Sequence, residues 1–377
     1  MVGVSAQDLS AWMTGTLLPR WLERAYDPGR PGYAEWVRPD GGIMTAERRT
    51  TLVTARTLYV FSHAHLLGVP GALAAARHGL SFLLKQCRRS DGRFSHACTA
   101  TGEVIDGKSD FYDLAFVIFA LAWYARATGE AEPLEQAEAV MRFIETELAS
   151  PSGGFLEDTL NTVPHRQNPH MHLLEACHAM AESSGDKRWL ERADAIVRLM
   201  QQRFAADGTL GEFFDNDWAP FAGEKGLVRE PGHHYEWTWL LYHHERLTGS
   251  KSARESARQL FAFGEKFGGG AQGKPVINEV DPQGRVLNGA ALLWPQTEYL
   301  KALAARVEFE DDHEAAARLD QHLRLVFAHF VDPATGLWAN QLDASGNKVI
   351  EPVPVRVLYH LLLALADVCR VKTAAKA

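Results

Sequence analysis

The stretch Glu230 to Gly249 reads EPGHHYEWTWLLYHHERLTG. After a turn expected at Pro231-Gly232 it sets His233 and Glu236 three residues apart, ahead of an apolar run with Trp237, Trp239, Leu240, Leu241 and Tyr242. Residues three apart on a helix are neighbours on one face. An imidazole and a carboxylate are therefore expected side by side at the mouth of a helix, and imidazole is the side chain best suited to proton transfer near neutral pH. Alone, the same spacing also fits a surface ion pair, so what the two residues face decides their use.

Comparable polar residues lie in the other apolar segments: Arg56 in 46–67, Asp110 and Asp113 in 110–127, Asn168 and His172 in 168–182, Trp294, Gln296 and Glu298 in 291–307, and Arg356 and His360 in 353–371. With Arg56, Asp113, His172, Glu236, Glu298 and His360 as markers, successive gaps are about 57 to 64 residues, the regular period of a repeat architecture. Each apolar segment follows an amphipathic one, over 8–26, 72–87, 133–148, 187–204, 252–267 and 311–330. A helix apolar all round has to be buried on all sides, whereas an amphipathic helix covers it from outside. Six inner helices ringed by six outer ones predict an all-α fold, an (α/α)6 barrel, with residues 1–377 as one domain. A tetratricopeptide-like solenoid has a period of about 34 residues, which these gaps do not match.

In such a barrel the N-terminal ends of the inner helices converge on one pocket. Burying ionisable groups is costly unless they are paired, so their concentration at one end suggests a site. For Arg56 the competing reading is a buried ion pair with Asp110 or Asp113. Two His-x-His pairs occur, His63 with His65 and His170 with His172, but residues two apart on a helix do not face each other. No HExxH element appears, and no metal is expected.

A net charge of -8 spread along 377 residues argues for solubility and against a nucleic-acid surface. No apolar stretch reaches the ~20 residues needed to span a bilayer. The start, MVGVSAQDLSAW, lacks a positive segment followed by an apolar run, so no signal peptide is read and a cytoplasmic enzyme is expected. The four cysteines are far apart without a CxxC pair, which predicts reduced, buried thiols. The final KTAAKA is expected to fray.

The strings TARTLYVFSHAH (54–65), NPHMHLLEA (168–176), GHHYEWTWLL (232–241), LWPQTEYLKAL (293–303) and VRVLYHLLLAL (355–365) together resemble the N-acylglucosamine 2-epimerase superfamily, in order and over essentially the whole chain. The resemblance implies an (α/α)6 barrel and cofactor-free, metal-free proton transfer beside a sugar carbonyl by two histidines, here His233 and His360. By the same resemblance Arg56 is the active-site arginine, Glu236 the carboxylate of the HxxE element, and Asn168, His172, Trp294 and Glu298 contact the sugar. Asp113 is expected mainly to support the structure and secondarily to bind substrate.

Removing a C2 proton from an open-chain aldose leaves negative charge on O1 and O2, which needs donors already in place; Arg56 can supply them. Glu236 is expected to fix the tautomer of His233 or to help open the sugar ring. Return of the proton to C1 gives a ketose, and delivery to the opposite face of C2 gives the epimer; the residues permit either. The expected activity is interconversion of D-mannose and D-fructose by a monomer or homodimer. The alternatives are a 2-epimerase on the same barrel, a glycoside hydrolase using carboxylates such as Asp113, Glu236 or Glu298, and a non-catalytic scaffold.

Overall fold

Every predicted segment contains a helix in the computed structural model, which describes residues 2–205, 207–271 and 273–374, although those expected at 46–67, 291–307 and 353–371 begin as rim strands before the helix starts. The first outer helix, α1 (6–25), contains a π-helical turn at Met13–Leu17. Next come α2 (Thr51–Leu66), α3 (72–87), α4 (Phe111–Thr128), α5 (Glu132–Glu147), α6 (Asn168–Ser184) and α7 (188–204). The remainder are α8 (Pro231–Thr248), α9 (Arg254–Phe267), α10 (Leu293–Glu310), α11 (His313–His329) and α12 (Leu358–Ala374). Residues 375–377 of the expected frayed tail lie outside the described residues; Lys372 to Ala374 continue α12.

Even-numbered helices form the inner ring. Each packs on the next, and α12 packs back on α2, so the ring closes. Closure is also tied at the rim, where β1 (Trp36–Val37) pairs antiparallel with β11 (Val353–Pro354). Inner helices are apolar on nearly all faces because each touches two inner neighbours and an outer helix. In α4 only the capping turns meet polar partners: Asp110 accepts from the Tyr112 N–H at 3.0 Å, and the helix stops at Gly129, whose φ of 74° suits a residue without Cβ.

The pairing of helices differs from the expected amphipathic-then-apolar unit. Each outer helix packs chiefly on the inner helix before it, α3 on α2, α5 on α4, α7 on α6, α9 on α8 and α11 on α10, while α1 closes onto α12. Chain length explains this, since connections of a few residues force antiparallel neighbours. These short turns sit at one end of the barrel. The long connections 26–50, 88–110, 148–167, 205–230, 268–292 and 330–357 gather at the other end, where the inner helices begin, and carry all the described strands. There β2 (Arg48–Thr50), β3 (Ala97–Thr99) and β4 (Val104–Asp106) make one three-stranded sheet. The pairs β5 (His165–Arg166) with β6 (Phe213–Phe214), β7 (Glu279–Val280) with β8 (Val286–Asn288), and β9 (Ala291–Leu292) with β10 (Gln341–Leu342) complete the rim, all antiparallel.

Among the described residues no helix is long and apolar enough to cross a membrane. Cys87, Cys98 and Cys177 are buried and Cys369 half-buried, all as free thiols.

Candidate active site

Helix α8 begins at Pro231, whose fixed φ suits the first helical position, so Pro231-Gly232 is the first helical turn and not a separate turn. Gly232 lies against Trp294 so closely that an added Cβ would stand 2.6 Å from the indole. That approach brings the His233 ring to 4.8 Å from the Trp294 ring. Trp294, at the start of α10, also lies 5.9 Å from the ring of His360, at the start of α12. The two imidazoles thus flank one half-buried indole at the barrel mouth.

His233 is held by carboxylates from the rim. Its Nδ1 lies 2.9 Å from Oε2 of Glu212, just before β6, and 3.4 Å from Oε2 of Glu230. Burial works against a charged imidazole, but Glu212, Glu230 and Glu236 outweigh it and hold the pKa up at about 10. Gln167 donates to the same Glu212 oxygen at 3.0 Å, fixing the carboxylate. At neutral pH His233 is therefore an imidazolium with Nε2–H free for a ligand.

The pair makes a signed contribution to stability. Because the folded pKa lies above the unfolded value of about 6.5, the stabilisation is complete below that pH and fades as pH rises through about 10. Glu212→Gln is expected to pull the alkaline limb of the kcat/KM profile down by at least about one pH unit, measured as initial rates from pH 6 to 10.

His360 has the opposite environment. Its Nδ1 lies 2.8 Å from Oε1 of Glu298, whose Oε2 is 2.6 Å from the ammonium of Lys301. Burial drives His360 well below its ordinary pKa, and Arg56, Lys301, His172 and His233 push the same way. Lys301, fully buried, is pushed up to about 12 because Glu298, Glu236 and Glu175 outweigh its burial. The two histidines therefore rest in opposite states, His233 charged and His360 neutral.

Arg56 closes the third side. Its Nη2 donates to the Tyr112 hydroxyl at 2.6 Å and its Nη1 to the Arg356 carbonyl at 3.4 Å, while the guanidinium sits 4.1 Å from the Phe116 ring centre and 4.9 Å from that of Tyr359. Its Nε–H has no partner among the described residues. Neither Asp110 nor Asp113 pairs with it. His172 rests on Glu175, Nδ1 to Oε2 3.1 Å, and the Tyr359 hydroxyl donates to the same oxygen. Asn168, the first residue of α6, is half-buried with Oδ1 unpartnered among the described residues.

Three expectations need correction. Glu236 does not hold His233: the carboxylate at i,i+3 spacing that does so is Glu230, behind it. Glu236 is fully buried and points at Lys301, 3.7 Å away, with both oxygens otherwise without hydrogen bonds among the described residues. Glu298, expected on the sugar, is fully buried behind His360. Asp113 is 2% exposed and accepts from Nδ1 of His96 at 2.7 Å, which suits its structural reading and not substrate binding. Asp113→Asn is expected to leave KM within about twofold and to lower unfolding free energy by about 1–3 kcal/mol, read from urea curves.

The structure separates the crowded histidines. His234 has Nδ1 2.9 Å from the Glu230 carbonyl and receives the Leu210 N–H on Nε2 at 3.0 Å, away from the pocket. His170 likewise accepts the Phe155 N–H. Glu175 and Lys301, missed in the sequence, lie three residues after His172 and Glu298 in helices otherwise apolar, a spacing that could have found them. Tyr112 and Tyr359 each immediately precede a marker residue, Asp113 and His360. Glu212 sits in a hairpin without periodicity and left no signal.

A profile described as "N-acylglucosamine 2-epimerase (GlcNAc 2-epimerase)" matches residues 32–364. A protein named mannose-6-phosphate isomerase from Rhizobium meliloti (strain 1021) is 35% identical over 97% of each chain. D-mannose isomerase from Pseudomonas cannabina pv. alisalensis is 28% identical over 80% of this chain and 78% of its own. The solved cellobiose 2-epimerase of Spirochaeta thermophila DSM 6192 superposes with a TM-score of 0.88 at 23% identity, covering 99% of this chain and 97% of that one, a likeness of fold. The profile over most of the chain and the full-length relative establish that this protein belongs to the N-acylglucosamine 2-epimerase family of carbohydrate isomerases and epimerases.

Proposed function

We propose that the protein is a cofactor-independent aldose–ketose isomerase that interconverts D-mannose and D-fructose. The observation that carries this reading is the pair of imidazoles in opposite charge states on either side of Trp294. In the proposed reaction the neutral Nε2 of His360 takes the C2 proton of the open-chain aldose. The C2–H electron pair forms C1=C2, and the carbonyl π electrons move to O1, where the His233 imidazolium and Arg56 donate. The His360 imidazolium then gives its proton to C1; His233 gives its Nε2 proton to O1 and takes the O2–H proton, whose bonding pair forms the C2 ketone, so that both histidines return to their starting states.

Asn168, His172 and Trp294 are proposed to hold the sugar, Trp294 offering its face to the C–H side of the ring. The metal-free reading is supported by the partners that three site carboxylates already have, Glu298 with Lys301 and His360, Glu212 with His233 and Gln167, and Glu175 with His172 and Tyr359, while Glu236, without a hydrogen bond among the described residues, faces the Lys301 ammonium at 3.7 Å. Ketose formation over epimerisation is supported by the isomerase names of the relatives at 35% and 28% identity.

A second reading, mannose 6-phosphate as substrate, is favoured by one observation besides the name of the 35% relative. The exposed Arg356 side chain makes no hydrogen bond or ion pair among the described residues, and its carbonyl touches Arg56, so a free cation stands beside the pocket. Protein dialysed against EDTA, assayed with D-mannose and with mannose 6-phosphate, tests both. Fructose formed at an undiminished rate supports the metal-free isomerase. A kcat/KM at least about tenfold higher for the phosphate, abolished in Arg356→Gln, selects the second reading. Loss of all turnover on chelation, restored by a divalent cation, overturns the mechanism.

A further inference from the structure

Lys301 has no place in the proton-transfer scheme above, yet it is fully buried at the centre of the polar cluster. A buried ammonium is costly unless paired. Its nearest partner is Oε2 of Glu298 at 2.6 Å, three residues earlier on α10; Glu236 of α8 lies 3.7 Å away, and the Trp239 ring centre 4.1 Å away. The other titratable groups around the cluster are Arg56 of α2, Glu175 and His172 of α6, His233 of α8, and Tyr359 and His360 of α12. Three carboxylates thus approach one another with Lys301 as the cation among them.

The tautomer of His360 depends on the charge of Glu298. An ionised Glu298 only accepts hydrogen bonds, so the proton on His360 must sit on Nδ1, 2.8 Å away, leaving a lone pair on Nε2. A protonated Glu298 donates instead; the His360 proton then moves to Nε2, which can no longer act as a base. Burial and Glu236 push the Glu298 carboxyl well above its usual range; the buried Lys301 ammonium 2.6 Å away opposes them, and since a neutral carboxyl there would leave that ammonium without its nearest counter-charge, the pair is held ionised. We propose that Lys301 is a positioning residue: by keeping Glu298 ionised it fixes His360 as the Nδ1–H tautomer and so makes Nε2 the base. This rests on His360 being the base of the proposed isomerase.

The test is tautomer-sensitive 15N NMR of His360 combined with kinetics. The wild-type protein at pH 7 is expected to show the Nδ1–H form. Lys301→Met is expected to switch it to Nε2–H and to lower kcat about 10²-fold with KM changed less than about threefold. The double variant Lys301→Met/Glu298→Gln supplies a neutral amide acceptor, and is expected to return the Nδ1–H form and recover about tenfold in kcat. Lys301→Arg keeps the cation and serves if the methionine variant does not fold; it is expected to retain the wild-type tautomer. An Nε2–H tautomer in the wild type, an unchanged tautomer in folded Lys301→Met, or a double variant no better than the single one would overturn the proposal. The tautomer is read without substrate, so a failure of the sugar assignment alone leaves this result standing.

Discussion

His360→Ala is expected to lower kcat by about 10²–10⁴-fold, the range over which a positioned general base contributes, while KM for mannose changes little. The effect is large because the two nearest imidazoles have other partners, although burial favours a neutral His172 as well. His233 is held charged by Glu212 and Glu230, and His172 has Nδ1 against Glu175 on a buried shelf beside Phe116. The fold is expected to survive, since Glu298 keeps its ion pair with Lys301 when the ring is removed. Steady-state kinetics together with an unchanged circular dichroism spectrum check the prediction. A variant with kcat within threefold of wild type removes His360 from the chemistry.

Arg56→Met is expected to cost about 10²–10³-fold in kcat, the loss seen when one preorganised donor to a developing oxyanion is removed. Arg56 is suited to that task because no carboxylate pairs with it among the described residues. Its contacts are a tyrosine hydroxyl, a backbone carbonyl and aromatic faces, and Nε–H remains unpartnered among the described residues. A cation held by aromatic faces keeps its field for the substrate, whereas one paired to Asp110 or Asp113 would have lost it. Methionine preserves the packing against Phe116, so stability is expected to fall far less than activity. An equal fall of kcat and thermal midpoint would assign Arg56 a structural role instead.

The barrel was legible because its signal is repeated six times: all-round apolar helices alternate with amphipathic ones at a nearly constant period. The closure of α12 onto α2 was not, since it depends on distant contacts such as Trp36 with Pro354. Helical spacing also located His233 and His360 at the mouth, but it could not say which way a side chain turns. At His233 the partner three residues away lies backward at Glu230, because Glu212 in the rim hairpin draws the ring toward the loop and leaves Glu236 to Lys301. The resemblance of Trp294 and Glu298 to a sugar-holding element implies that both contact the sugar; one turn deeper along α10 than Trp294, Glu298 faces His360 and not solvent. Asp113 shows the same limit, its partner His96 lying on a connection whose course no periodicity predicts.

The central claim, aldose–ketose isomerisation by base-mediated proton transfer through an enediolate, is tested most directly by running EDTA-treated protein with D-mannose in deuterated water and following the products by NMR until equilibrium. The account predicts fructose as the product, with solvent deuterium at C1 and at no other carbon. Fructose without deuterium at C1 at equilibrium would point to a hydride shift, and glucose as the main product would make the protein a 2-epimerase; either result would contradict it.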